Sequence, residues 1–582
     1  MRSKRDAAFA GATVAVRGLI TLVLLAAVVA LVATSVWRGP RAAAARSSKT
    51  LVASIRAEPR SFNRYTARDL TTEVITFLTQ SALVRVDRAS GRLAGELAES
   101  WDLLPDELTY RVRLRRAVRF SDGTPFTADD VVFSFRALYD EGGGSELADS
   151  VKVHNQPLSV TSEDAATVLI RFPAAFAPGL RLLDGVPMLS RQRLEQPLRE
   201  GRFATAWSTS TPPSELAGLG PFVLHQYDAG QRLVFDRNPF YWGRDGDSQL
   251  PALDHVILEI VKDQDTELLR LAAGEIDLTQ SELRPLDLGP LTRAVSAGRL
   301  KVSDLGVGLD GDLFWLNLTR AKAADARARW LQDVNFRRAV AHAVDRHAFV
   351  DTVYFGSAVP ASGVVSPGNA MWHEDAPAPA YDPAAARALL AGLQLADRDR
   401  DGTLEDSGGR PVRFTLLTQG GNTSLERGAS VLRDSLGRVG VRVDIVPFDA
   451  PTLVRRMVSG DYDGAYFRLL TTDTDPSLNL DFWLSSGSAH VWNLSQPTPA
   501  TKWEADVDEL MQQISSSLDP HVRRTAFAQV QRIMAGELPV MTFAFPRLSM
   551  AMSSRVGHAT PAVFRPPVLW NPAGLTVDDG GR

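Results

Sequence analysis

Strand-type and helix-type segments alternate in one stretch of the chain, and this alternation restricts the possible folds more than any other feature. RFTLLT (413–418), VRVDIVPF (441–448) and DGAYFRLL (463–470) are short apolar runs, whereas residues 425–437 and 451–459 between them have helical apolar spacing. Strands that alternate with helices form βαβ units, which place parallel strands in one sheet. The pattern therefore predicts an α/β lobe with a largely parallel or mixed sheet.

The same periodicity predicts further elements along the rest of the chain. Strands are expected at residues 51–55, 107–120, 168–172, 255–261, 275–278 and 313–318, and a hairpin over 218–243. Helices are expected at residues 70–82, 264–273 and 335–355, the last of them continuous.

The N-terminus carries an uncharged apolar run, residues 19–36, after the basic residues Arg2, Lys4 and Arg5. Eighteen residues at 1.5 Å each nearly match a bilayer core of about 30 Å. Residues 1–45 are therefore expected to be either a cleaved signal peptide or an uncleaved membrane anchor, and both interpretations stay open. In both interpretations, the rest of the chain is translocated to the far side of the membrane.

Composition excludes several classes of protein. The 582 residues carry a net charge of −4, and removal of residues 1–45, which hold six basic residues and one acidic residue, leaves −9. An acidic body of this kind argues against nucleic-acid binding. Because the chain has no cysteine, disulfides, thiol catalysis and zinc–thiolate sites are excluded. The length predicts two to four domains.

Catalytic signatures are missing from the sequence. It contains no GxSxG nucleophile elbow, no GxxxxGK[ST] phosphate loop and no HExxH zinc helix. We therefore expect neither an enzyme nor a resident cofactor.

An acidic stretch, DRDRDGTLED at residues 397–406, is the strongest local motif. Asp397, Asp399 and Asp401 occupy alternate positions before Gly402, as at the start of an EF-hand calcium loop. The twelfth position, where such a loop needs a bidentate glutamate, is Gly408. A calcium site and an acidic surface turn therefore remain alternatives.

Four segments, taken in order, resemble one known family. They are FSDGTPFTADDVVFSF (120–135), the hairpin GLGPFVLHQYDAGQRLVFDRNPFYWG (218–243), VNFRRAVAHAVDR (334–346) with the VPASGVVSPG that follows it, and the stretch from YDPAAARALLAGL to SGDYDGAYFRLL (381–470). The chain resembles the extracytoplasmic solute-binding proteins of family 5, the dipeptide- and oligopeptide-binding type that serves peptide and nickel ABC importers. The resemblance covers about residues 50–560.

The resemblance implies an α/β fold, a two-lobed periplasmic-binding-protein clamshell of type II with an extra inserted domain, preceded here by one N-terminal hydrophobic helix. It also implies that the FSDGTPF turn and the GLGPF hairpin are scaffold. The implied division is residues 50–82, 218–305 and 541–582 for the first lobe, 83–217 for the inserted domain, and 306–540 for the second lobe.

The implied function is to bind a peptide or peptide-like solute between the lobes by clamshell closure and to deliver it to an ABC permease. We expect a monomer outside the cytoplasm that makes and breaks no bond. One alternative keeps the fold in a membrane-tethered ligand sensor or folding helper. Another is an extracytoplasmic hydrolase.

The resemblance also suggests ligand-binding residues. In dipeptide- and oligopeptide-binding relatives an aspartate before an Asp-Pro pair holds the ligand's amine, and Asp473 is similar to it, although one position from the dipeptide-type spacing. The arginine that holds the carboxylate in dipeptide binders would fall near residues 418–424, which contain none. Longer peptides bound through their backbone are therefore favoured over dipeptides. Further candidates are Thr71, Thr72, Trp315, Asn317, Asn422, Arg468 and Thr471.

Overall fold

The computed structural model describes residues 49–319, 325–376, 378–471, 473–494 and 496–578. The predicted signal peptide or anchor, residues 1–45, lies outside these ranges. Among the helices that they contain, none combines the length and apolar character that a bilayer crossing requires. The elements below lie in the compact unit that begins at Leu51, together with Thr50, the first residue of the first strand.

The strands are numbered in chain order. They are β1 (Thr50–Ile55), β2 (Val84–Val86), β3 (Leu93–Gly95), β4 (Ala98–Leu103), β5 (Thr109–Leu114), β6 (Ser159–Asp164), β7 (Thr167–Arg171), β8 (Phe222–Asp228), β9 (Arg232–Arg237), β10 (Arg244–Asp245), β11 (Ser248–Gln249), β12 (His255–Ile260), β13 (Leu300–Val307), β14 (Asp312–Leu316), β15 (Ala358–Pro360), β16 (Arg413–Gln419), β17 (Arg442–Phe448), β18 (Gly464–Arg468), β19 (Val540–Thr542), β20 (Ala544–Ser553), β21 (Val556–Gly557) and β22 (Thr576–Val577).

The α-helices are numbered in the same way. They are α1 (Leu70–Thr79), α2 (Ala128–Leu138), α3 (Arg191–Arg199), α4 (Gln264–Ala273), α5 (Leu288–Ser296), α6 (Ala328–Leu331), α7 (Val334–Ala343), α8 (Arg346–Tyr354), α9 (Pro383–Gly392), α10 (Thr423–Gly437), α11 (Ala450–Val458), α12 (Leu480–Trp483), α13 (Lys502–Ser516) and α14 (Pro520–Glu537).

A five-stranded mixed sheet forms the centre of the later half of the chain, in the order β17-β16-β18-β14-β19. Strand β16 pairs in parallel with β17 and β18, whereas β14 runs antiparallel to β18 and β19. Phe314 and Trp315 of β14 are both fully buried, in different core clusters, because successive side chains point to opposite faces of a strand. The sheet is thus covered on both faces, and the predicted mixed α/β lobe is confirmed.

A second sheet joins distant parts of the sequence. One group of four strands has the order β1-β12-β9-β8, and a second group of three strands has the order β13-β20-β15. Leu278 connects the two groups, since it bridges Ala53 in parallel and Met552 in antiparallel sense. The strand expected at 275–278 is therefore reduced to this one bridging residue.

A third sheet, β4-β5-β7-β6, lies within residues 98–171. The predicted half-buried strand is present as β5, with Val112 and Leu114 in the core. Arg111 and Arg113 point the other way and pair with Glu163 and Asp102 at 3.0 and 2.8 Å. The basic face of this strand is therefore a solvated surface with local ion pairs.

The continuous helix expected over residues 335–355 is wrong, because the structure has two helices there, α7 and α8. Val344 between them is extended, with φ −104° and ψ 117°. The Asp345 side chain then accepts the backbone N–H groups of His347 and Ala348 and so caps a new helix. The apolar spacing continues across the break, and for this reason periodicity alone did not reveal it.

The FSDGTPF turn and the GLGPF hairpin pack against each other and against the end of α1. The N–H of Ser121 donates to the carbonyl of Gly218 at 2.8 Å, and the N–H of Gly220 donates to that of Thr79 at 3.0 Å. A Cβ at Gly220 would lie 2.4 Å from the carbonyl carbon of Thr79. This position therefore requires glycine for a close backbone approach.

Gly220→Ala is expected to lower the free energy of unfolding by about 2–3 kcal/mol, because the backbone of α1 has to move to admit the methyl group. Gly289→Ala is the matched control: it lies in α5 and its added Cβ would meet no atom within 4 Å. Urea denaturation of both variants measures the difference. Equal stabilities for the two variants would contradict the packing described here.

Glu504, in the first turn of α13, makes the free energy of unfolding depend on pH. Its carboxylate accepts hydrogen bonds from Gln496 Nε2 at 2.9 Å and from the N–H of Thr501 at 2.9 Å. Burial raises the pKa of Glu504, but hydrogen bonds from His490, Gln496 and Thr501 outweigh burial and lower this pKa to about 2. Because the folded-state pKa is below the unfolded value of about 4.3, the stabilisation is complete above that pH and is lost as pH falls towards 2.

Glu504→Gln is therefore expected to lower the free energy of unfolding at pH 7 by about 1–3 kcal/mol and to flatten its decline between about pH 4.5 and pH 2. The exposed Glu509 in the same helix serves as control, as Glu509→Gln. Denaturant titrations at several pH values measure both effects. A variant with the slope of the wild type would show that Glu504 is not the group responsible.

Candidate functional site

The segment that follows β18 is where three distant parts of the chain meet. We call residues 468–479 the junction segment; Thr472 within it lies outside the described residues. Arg181, 292 positions before Asp473, reaches it from one side, and Arg523 of α14 reaches it from the other. Leu478 also packs against the core cluster built mainly from residues before 260. The junction segment is therefore the candidate functional site.

Asp473 is a buried carboxylate in the junction segment, with 5% of the residue exposed. Its Oδ1 accepts the Nε–H of Arg181 at 2.7 Å and the backbone N–H of Asp475 at 2.7 Å. Burial raises the pKa of Asp473, while Arg181 favours its charged form. Asp473, a predicted ligand residue, thus lies where residues near 181 contact the junction segment, and it already has the guanidinium of Arg181 beside it.

Asp475 fixes the position of the junction segment through an ion pair with Arg523. Nη2 of Arg523 contacts its two carboxylate oxygens at 2.7 and 2.8 Å and the hydroxyl of Ser477 at 3.1 Å. Arg523 Nε also donates to the carbonyl of Ile514 at 2.7 Å. Because both charged groups are nearly buried, the pair holds the segment against α13 and α14.

Arg468 at the start of the junction segment is held by a buried acid. Its Nε donates to Oδ1 of Asp312 at 2.7 Å, and Oδ2 of Asp312 accepts the hydroxyls of Tyr354 and Tyr466. Burial opposes the charge of Arg468, but Asp312 outweighs it and raises the pKa of the guanidinium further. Burial, with the charge of Asp312, also raises the pKa of Tyr354. Arg468 is therefore a fixed cation with a quarter of its side chain exposed.

Two more charged contacts border the junction segment. The N–H of Thr471 donates to Oδ1 of Asp310 at 2.8 Å, and burial raises the pKa of that aspartate. Arg565, from the C-terminal part of the chain, pairs with Glu282 at 3.2 Å. The positive charge of Arg565 acts to lower the pKa of Asp310, and the negative charge of Glu282 acts to raise the pKa of Arg468. The region consequently presents both signs of charge from several parts of the chain.

The family to which these elements belong is identified by a match over residues 92–490 to the family model of bacterial extracellular solute-binding proteins, family 5, middle region. The chain belongs to this family. It is therefore an extracellular solute-binding protein by family, and two of its relatives carry the names of a probable ABC transporter-binding protein and a di/tripeptide-binding protein. The predicted family is confirmed.

Relatives and a solved structure extend this match. A probable ABC transporter-binding protein of Deinococcus radiodurans is 27% identical over 63% of this chain and 63% of its own length, which is less than two thirds of that protein. Di/tripeptide-binding protein 2 of Pseudomonas aeruginosa is 25% identical over 87% of this chain and 92% of that protein. The oligopeptide-binding protein AppA of Bacillus subtilis, solved with a nonapeptide, is 24% identical, with a TM-score of 0.70 over 91% of this chain and 98% of that one. The fold of this solute-binding protein is thus the mixed α/β fold of the two-lobed binding proteins.

Three predicted ligand residues, Arg468, Thr471 and Asp473, lie in the junction segment, and the other five lie elsewhere. The hydroxyl of Thr71 donates to the carbonyl of Ala57 at 3.0 Å, and that of Thr72 to the carbonyl of Ser61 at 2.9 Å. Both threonines are buried. Their contacts fix the start of α1, so the structure gives them a local structural role.

The remaining three also have structural contacts. Trp315 is fully buried in a core cluster. The side-chain amide of Asn317 donates to the carbonyls of Gly460 and Tyr462 at 3.0 and 3.1 Å. Asn422 caps α10 by accepting the N–H groups of Ser424 and Leu425. Sequence reasoning selected these residues by type and missed Arg181, Asp312 and Arg523, which no local motif marks.

The acidic loop at residues 397–406 brings its side chains together. Ligand atoms of Asp397, Asp399, Asp401 and Glu405 lie within 4.8 Å of one another, so a carboxylate at the ninth position joins the three predicted aspartates. Backbone N–H groups of the loop donate to the three aspartates, as in an acidic turn without metal. The calcium site and the acidic surface turn both stay open as alternatives for this loop.

Proposed function

We propose that this solute-binding protein binds a peptide or peptide-like solute between two lobes and delivers it to an ABC permease. The family match carries the proposal, and the names of the relatives direct it to peptides. The junction segment supports it, because contacts from distant parts of the chain converge on Asp473 and Arg468. Arg468, with a quarter of its side chain exposed, is the predicted residue to which we assign solute contact first.

We further propose the division into lobes that the sequence predicts, with an inserted domain in a type II clamshell. The pairing of β1, β12, β9 and β8, and their bridge through Leu278 to β20, supports a discontinuous first lobe. The five-stranded sheet around β16 supports a second lobe over residues 306–540, although its edge strand β19 continues to Thr542. A solute that contacts both lobes shifts the open–closed equilibrium by the difference in its affinity for the two states.

The charges favour peptides longer than two residues. Residues 418–424 hold no arginine, and Arg468 is already engaged by Asp312. A dipeptide carboxylate would therefore have no dedicated cation in that stretch, whereas a longer chain gains affinity from backbone hydrogen bonds along its length.

We also propose that the protein acts outside the cytoplasm as a monomer, after export by residues 1–45. Mass determination of the N-terminus of the membrane fraction and of the soluble fraction distinguishes a cleaved signal peptide from a retained anchor. A retained anchor remains compatible with import.

Gentle purification followed by native mass spectrometry tests the proposed function. We expect an intact co-purified peptide, and we expect the same compound to raise the stability of the stripped protein by about 2.7 kcal/mol at 100 times its Kd. A hydrolase would instead release fragments from a peptide panel. Failure of every peptide to bind, with or without cleavage, would contradict the proposal.

A further inference from the structure

Arg181 occupies the position at Asp473 that a cationic group of a solute would need. Its three nitrogen atoms are all used: Nε donates to Asp473 at 2.7 Å, Nη1 to the carbonyl of Gly91 at 2.7 Å, and Nη2 to the hydroxyl of Thr474 at 3.1 Å. Only 12% of the Arg181 side chain and 6% of the Asp473 side chain are exposed. The guanidinium is therefore nearly buried, and each of its nitrogen atoms makes a hydrogen bond.

Residues of the later half of the chain fix the backbone around Asp473, whereas Arg181 belongs to residues 83–217. The backbone around Asp473 is held by Asn479 Nδ2, which donates to the Asp473 carbonyl at 2.8 Å, and by Asn369 Nδ2, which donates to the Thr474 carbonyl at 2.8 Å. Arg181 lies in the short 3-10 segment Gly179–Leu183 within residues 83–217. The N–H of nearby Ala177 donates to the carbonyl of Ser515 at 2.6 Å, a second contact between the same regions. Arg181 is thus a cation that one region inserts into the other.

Because Arg181 already neutralises Asp473, a second cation at this carboxylate meets the repulsion of the guanidinium and gains less than it would from an unpaired carboxylate. An α-ammonium group that displaced Arg181 would leave that guanidinium buried without its acceptor, which is costly. The same ammonium can stay in water if the solute contacts the cleft through its backbone and side chains. The ion pair therefore selects against the use of a free amino terminus at Asp473.

We propose that Arg181 is a specificity-determining residue: it serves as the internal cation of Asp473, so that the protein binds peptides with blocked and with free amino termini about equally. The inference rests on the proposed function and refines its substrate class. It also assigns to Asp473 a partner within the chain in place of the amine of a solute.

The first test uses a lysine-free random pentapeptide library, half of it N-acetylated, and measures the captured ratio of free to acetylated peptide by mass spectrometry. We expect a ratio within about threefold of unity for the wild type. For Arg181→Met we expect a shift of about tenfold or more towards free peptides, because Asp473 then lacks a cation. The double variant Arg181→Met with Asp473→Asn should return to the ratio of the wild type. Arg191→Met, at an exposed arginine of the same region, is the matched control.

A wild type that prefers free peptides by tenfold, or an Arg181→Met variant with an unchanged ratio, would overturn the inference. A second test needs no peptide: ethylammonium chloride should raise the melting temperature of Arg181→Met, but not that of the wild type or of the double variant. Absence of this rise would also overturn the inference. If ethylammonium stabilises Arg181→Met but no protein captures any peptide, the proposed function fails while the internal pairing of Arg181 with Asp473 stands.

Discussion

Arg523→Met is expected to lower the free energy of unfolding by about 3–5 kcal/mol, because it leaves Asp475 buried without its cation. Nη2 of Arg523 contacts both oxygens of that carboxylate, and the guanidinium also lies 4.9 Å from the ring centroid of Trp372. The variant should also weaken solute binding by about tenfold or more, since the pair positions the junction segment. Guanidinium chloride denaturation and calorimetric titration measure the two effects.

Arg524→Met is the matched control for this variant, because Arg524 is exposed and adjacent in the same helix. Its expected change is within about 0.5 kcal/mol. Adding Asp475→Asn to Arg523→Met should recover part of the lost stability, because the unpaired charge is then removed. Additive losses in the double variant would argue that the two residues act independently.

Asp312→Asn is the second large expected effect, about 3–5 kcal/mol of lost stability. The substitution removes the negative charge that Arg468 contacts at 2.7 Å, although the guanidinium remains mostly enclosed. It also weakens the acceptor of two buried tyrosine hydroxyls, those of Tyr354 and Tyr466. Solute binding should decline with it, because Arg468 is then free to change its position.

Asp351→Asn, at an exposed aspartate of α8, controls for the change of charge alone and should be nearly neutral. Thermal and urea unfolding of both variants give the comparison. If Asp312→Asn were as stable as this control, the buried cluster would not be the element that holds Arg468.

The fold could be predicted from the sequence where its signals are local. Strands with β-branched residues, such as β16 and β17, and the helix α4 over Gln264–Ala273 agree with the expected elements. One error concerns a local helix cap that apolar periodicity does not detect, and the other concerns long-range contacts. The break at Val344 depends on the cap that Asp345 provides. Residues 275–278 keep one bridging residue, Leu278, which makes two bridges to distant strands.

The site could be predicted less well. Asp473 and Arg468 lie in a segment whose motif is local, and the structure places both at the junction. Arg181 is 292 positions away and lies in a short 3-10 segment without a motif, so only the tertiary fold brings it to Asp473. Thr71, Thr72 and Asn422 have polar side chains that suit a ligand, but the same groups suit helix starts, and the structure uses them there.

Small-angle X-ray scattering on one preparation addresses the central claim most directly. The protein is stripped of its co-purified solute, measured, reloaded with the same compound and measured again, and the recovered compound is weighed by mass spectrometry. A smaller radius of gyration on reloading and an unchanged solute mass are the predicted result. A tightly bound solute that leaves the scattering curve unchanged, or one that is recovered in pieces, would contradict the account.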